Sequence, residues 1–194
     1  LATYGRAPDD LRLMPGAFIF VGRSEAEADE RFEELQAMVP LDVALARLSH
    51  NLGGVDLSGW PLDGPMPAVE GNSARMSAPD SYTRIARREN LTLRQTAIRA
   101  ATAKHHWIVK GSPVQIADRL EEWFTGFAAD GFNLLPACMP GSLDDCVDLV
   151  VPELQRRGLF RTEYEGATLR ENLGVPRPPN RFARGVSGRG RAAE

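Results

Sequence analysis

Very little in this 194-residue chain suits crosslinking, metal binding or membrane insertion. It has two cysteines and three histidines. Cys138 and Cys146 lie eight apart and match no zinc or redox spacing. Reduced thiols in the cytoplasm are the simplest reading. No run of ~18 apolar residues exists, so no membrane-spanning helix and no membrane partner are expected. The opening Leu1-Ala2-Thr3-Tyr4-Gly5 has neither a basic region nor an apolar core, so it does not read as a secretory leader. No repeat period is visible. The net charge of −3 argues against general affinity for nucleic acid, although the charge is uneven. Residues 176–194 hold five arginines against one acid, so this tail carries +4 and residues 1–175 carry −7.

What is present is ordinary for a folded domain: 43% apolar and 25% charged residues. A chain of this length can bury about 70% of its unfolded surface without staples. The apolar run Pro15 to Gly22 reads as a buried strand. Ser24 with Glu27 three residues on reads as a capping box opening a helix over 24–38, with Phe32, Leu35 and Met38 on its apolar stripe. Leu41, Ala44, Leu45 and Leu48 keep helical spacing over 40–49, with strand remaining open near the end. From His50 to Ser77 glycine and proline break the pattern, and a loop this long is usually functional or mobile. Helices resume over 79–89 and 92–103, the latter opened by Thr92 and Gln95.

Trp107-Ile108-Val109-Lys110 then reads as a strand. Ser112, Pro113 and Gln115 supply the cap, first position and box of a helix whose buried face is Ile116, Leu120, Trp123, Phe124 and Phe127. It runs to about Ala128. Phe132 to Pro136 forms another strand. Ser142 is placed to cap a last helix with Val147, Val150, Val151 and Leu154 inward, bent or restarted by Pro152 and ended by Gly158. Strand–helix alternation with short capped turns predicts parallel βαβ packing. Beyond Gly174 proline, arginine and glycine dominate, so residues 176–194 are expected to be a disordered basic tail.

Gly111-Ser112-Pro113-x-Gln115-Ile116-Ala117-Asp118, Asp130-Gly131-Phe132-Asn133-Leu134 and Val151-Pro152-Glu153-Leu154-Gln155-Arg156-Arg157-Gly158-Leu159-Phe160-Arg161 together resemble one family. So do Gly5-Arg6-x-Pro8-Asp9-Asp10, Val21 to Ala28, Asp56-Leu57-Ser58 and Leu62-Asp63-Gly64-Pro65. It is the bacterial-luciferase-like flavin monooxygenase superfamily, in its nitrilotriacetate monooxygenase component A and dibenzothiophene-sulfone monooxygenase group. The resemblance covers residues 5–181 and reaches only the C-terminal half of the family's pattern. It implies an α/β fold: the C-terminal half of a (β/α)8 TIM barrel, residues 1–175, with a long insertion loop. It also implies reduced FMN from a separate flavin reductase, O2 as co-substrate and a small organic substrate oxidised at carbon next to nitrogen or sulfur. Most flavin contacts of the family lie in its earlier strands. A gene fragment is therefore the expected explanation, with a non-catalytic module that completes a barrel with a partner chain or by self-association as the alternative.

Three residues are the site candidates. By resemblance His50 lies at the rim of a late barrel strand, where it could donate a hydrogen bond to a flavin peroxide or substrate; a surface loop histidine is the plain alternative. Trp60, with Pro61 and Met66, could line a substrate lid, or simply pack its loop. Asn133 could face the barrel mouth, or be an asparagine satisfied by backbone. His105 and His106 precede a strand and read as structural. Ser112 reads as a cap before a phosphate ligand, and nothing basic flanks Cys138, so an inert thiol is expected.

Overall fold

Five consecutive residues of the first strand, Ala17 to Val21, are buried, so both of its faces must be covered. In this computed structural model that strand, β1 (Gly16–Val21), is the centre of a parallel three-stranded sheet. The structure describes residues 10–69 and 77–178, with Thr3, Gly5, Ala7, Asn180 and Phe182 besides. Residues 183–194, where most of the expected disordered tail falls, lie outside the described residues. The chain forms two units, Met14–Phe160 and a smaller one of Leu1–Leu13 with Arg161–Glu194. In the smaller unit Thr168 and Glu171 form a capping box on the short helix α8 (Leu169–Asn172), and Arg12 Nε donates to the Leu173 carbonyl.

In the larger unit β1 leads through Ser24 into α1 (Glu25–Ala37). The expected box is half formed. Ser24 Oγ accepts from the Glu27 amide, but Glu27 reaches one residue further back, to the Arg23 amide at 2.8 Å. The chain then makes α2 (Leu41–Asn51), α3 (Ser77–Glu89) and α4 (Leu93–Thr102) before β2 (Trp107–Gly111). α5 (Pro113–Thr125) follows with both halves of its box closed. Next come β3 (Asn133–Pro136), α6 (Gly141–Asp145), a π-helical turn at Cys146–Val150 and α7 (Val151–Arg156). No helix among the described residues is long and apolar enough to cross a membrane.

The strand order is β2-β1-β3. A right-handed connection from β1 to β2 puts its helices on one face; the return from β2 across β1 to β3 must put α5 on the other. The core divides accordingly. Phe18 and Phe20 meet Phe32 and Leu35 of α1, while Ala17, Ile19 and Val21 meet Ile116 and Leu120 of α5, with Cys146 and Val150. Alternating side chains of one strand thus bury both layers. The outer edges of β2 and β3 have no strand partner among the described residues. A third core joins α2, α3 and α4 through Leu48, Tyr82, Leu93 and Ala97.

Three sequence expectations need correction. α5 stops at Thr125, because Gly126 caps it and Phe127 turns left-handed at φ 57. Phe127 is 93% exposed rather than on the buried face, and Phe124 is also exposed. Trp123 does pack inward, stacked on Trp107 at 4.1 Å between ring centres. Ser142 does not cap the last helix: Pro140 holds that position and Ser142 Oγ accepts from the Cys138 amide at 3.0 Å. The proline effect is met by the π-helical turn just before Pro152, which admits a residue lacking N–H without breaking the helix. It sets Cys146, Val150 and Leu154 inward and leaves Val147 exposed.

Candidate functional site

The order β2-β1-β3 reverses direction between β1 and β3, and open α/β sheets hold ligands in the crevice beyond the carboxyl ends of their strands at such a point. A cleft of about 180 Å3 lies there. Phe20 and Val21 end β1, Ala137 and Cys138 follow β3, and Leu35 and Met38 come from α1. Its polar rim is an ion-paired strap. Arg31 Nη1 donates to the Val21 carbonyl at 2.6 Å and to Asp145 Oδ2 at 2.8 Å, while Nη2 donates to Glu27 Oε1 at 3.0 Å. The Arg23 backbone and side-chain hydrogen bonds hold the Glu27 carboxyl below its usual range. Such a cleft can take a small, mainly apolar group under one guanidinium. Neither Arg31 nor Asp145 stands out in the sequence, because only the strand order brings them together.

The structure places the three predicted residues elsewhere and does not gather them. His50 is exposed in the last turn of α2, not at a strand rim, because the helical spacing of Leu41 to Leu48 continues through Asn51. Trp60 is half-buried against the helical core, and its neighbour Met66 is buried in that core rather than in a lid. The described part of the long loop is fastened. Pro65 bridges Thr92, Gly64 accepts from the Leu93 amide at 2.9 Å, and Asp63 pairs with Arg94 at 2.8 Å. Asn133 opens β3, at the amino end of the sheet, and its side-chain amide donates to the Met14 carbonyl at 2.8 Å. That is the opposite end from a barrel mouth.

The remaining motif residues have structural uses. Asp56 accepts from the Ser58 amide in a tight turn. His106 stacks on His105 and lies where any side chain at Gly16 would strike it; burial lowers its pKa. Arg157 ties two motif stretches together: it donates to Glu153 and to Asp118 on α5, at 2.8 and 2.7 Å. At α5 the Ser112 and Gln115 amides are used by the capping box and Pro113 has no N–H, so of the first turn only Val114 keeps a free amide. That end offers no phosphate cradle.

No family model matches this chain. Nitrilotriacetate monooxygenase component A of Aminobacter aminovorans is 45% identical over 188 residues, 95% of this chain and 41% of that protein. Dibenzothiophene-sulfone monooxygenase of Rhodococcus erythropolis is 39% identical over 180 residues, 90% of this chain and 39% of that protein. Over nine tenths of its length this chain is similar to luciferase-like flavin monooxygenases. It spans about two fifths of the length of these curated relatives. Among solved structures, DmoA from Hyphomicrobium sulfonivorans matches 89% of this chain and 36% of its own at 27% identity and a TM-score of 0.73. A riboflavin lyase solved with modified FMN and riboflavin matches 90% of this chain and 38% of its own at 29% identity, TM-score 0.68. The expected fold class, part of a luciferase-like TIM barrel, is thereby borne out. Within this chain, however, helices cover both faces of the sheet.

Proposed function

We propose that this chain is the C-terminal part, residues 1–175 with a basic tail, of an FMN-dependent cytoplasmic monooxygenase acting on a small organic substrate. The similarity to nitrilotriacetate monooxygenase component A along 95% of the chain carries this reading. A separate flavin reductase would supply reduced FMN, with O2 as co-substrate. The partner would be the rest of the barrel, as another segment or a second copy. The described residues do not by themselves fit FMN. The cleft of about 180 Å3 falls below the ~300–1,000 Å3 of ordinary ligand pockets. The α5 helix end is already satisfied by its capping box.

Of the three candidates we retain His50 as the catalytic one. Its imidazole is exposed and lies beside the irregular segment that carries Trp60. A ring N–H of the imidazole can donate a hydrogen bond to an oxygen of a bound reactant. Trp60 remains a substrate-facing proposal for the assembled enzyme; Asn133 is already spent on Met14.

The test is a chimera in which this chain replaces the matched 188 residues of nitrilotriacetate monooxygenase component A. The folded chimera is expected to bind FMN and to oxidise nitrilotriacetate when a flavin reductase is present. A folded chimera that binds no FMN would contradict the proposal.

A further inference from the structure

We infer that β3 is an exchangeable strand, which closes this chain on itself and must leave β1 before a barrel can form. The inference rests on the barrel reading proposed above. In a (β/α)8 barrel consecutive strands lie side by side and every helix lies outside. There β3 pairs with β2, and the second edge of β1 belongs to the strand before it. Here β3 occupies that edge, with Gly16, Ala17, Phe18 and Ile19 opposite Asn133, Leu134, Leu135 and Pro136. α1 and α5 consequently lie on opposite faces of the sheet, one of which is the interior of a barrel.

The hold on β3 is slight. It is four residues long, its first two are exposed, and it ends at a proline. Beyond the strand pairing it is fixed by Leu135 packed against the Phe18 and Phe20 cluster, by Asn133 on Met14 and, through α6, by the Arg31–Asp145 pair, whose side chains are 44% and 37% exposed. β1 and β2 pair over five positions and gain a further bond from the Gly22 amide to Gly111. Release of β3 frees the edge of β1.

The test uses Ala17→Cys with Leu134→Cys, neighbours in register across β1 and β3, in a Cys138→Ser background. Adjacent strands lie within disulfide reach. In the isolated chain this pair is expected to close on mild oxidation with its far-ultraviolet circular dichroism unchanged. In the folded chimera the same pair is expected to stay reduced. A pair that stays reduced in the isolated chain, or closes equally in both, would overturn the inference. Hydrogen exchange on the unmodified chain gives a second reading. The β3 amides are expected to exchange at least about tenfold faster than those of β2, and equal protection would also overturn it. These results are read without FMN, so loss of flavin binding sinks the monooxygenase reading separately.

Discussion

Ile19→Ala is expected to destabilise the larger unit by about 2–5 kcal/mol, in the range of buried large-to-small substitutions. Ile19 is 1% exposed in the middle of the central strand. It packs with Ile116, Leu120 and Val150 on the face that α5 covers. Both neighbouring strands pair with it, so the sheet cannot shift to fill the space without breaking register. Domains are stable by about 5–15 kcal/mol in all, so the variant should sit near its limit. Trp107 and Trp123, stacked beside this core, supply the fluorescence signal for urea unfolding. A cost below about 1 kcal/mol would mean that Ile19 is not packed as found.

Replacing Arg157 by methionine is expected to weaken the protein strongly at pH 7 and much less at pH 3. The Arg157 side chain is only 13% exposed and meets Glu153, Asp118 and Glu121, each within 2.8 Å. Hydrogen bonds from Arg156 and then Arg157 hold the Glu153 carboxyl at about 2, against its ordinary 4.5. A depressed carboxylate stabilises the fold fully above its unfolded pKa, and that stabilisation is lost as pH falls from about 4.5 towards about 2. In the variant Glu153 keeps Arg156 but loses Arg157, while Asp118 and Glu121 lose the cation they share with it. The part of this stabilisation that Arg157 supplies disappears with the Glu153 charge, so the variant loses less in acid. Urea midpoints of the two proteins should therefore converge by at least half between pH 7 and pH 3. A gap that stays constant across that range would show that Arg157 acts through packing alone.

The local elements were largely legible because each carries its own signal. Ser112, Pro113 and Gln115 announce α5, and all three act as their positions suggest. Phe127 misleads because helical spacing continues past the residue where Gly126 stops the helix. Spacing reports which face a residue would occupy, not where the chain turns away. Ser142 misleads similarly, since its hydroxyl serves the Cys138 amide in the preceding turn.

The site was less legible, for a different reason. Asn133 alternates with apolar residues, and only pairing with Gly16 places it at the amino end of the sheet. Arg31 and Asp145 are 114 residues apart and meet only because β3 lies beside β1. Strand order is set by which edges are open and by the handedness of connections, and neither leaves a local mark on the residues. The family motifs were legible as a group. Their individual residues largely hold the scaffold: Asp63 on Arg94, Arg157 on Asp118, Asp56 on Ser58.

The sheet is covered on both faces, and no flavin cradle is gathered among the described residues. Titration of FMN with this chain alone, followed by quenching of flavin fluorescence, tests that directly. No saturable binding is expected at micromolar protein; tight, stoichiometric quenching would return the flavin site to this chain.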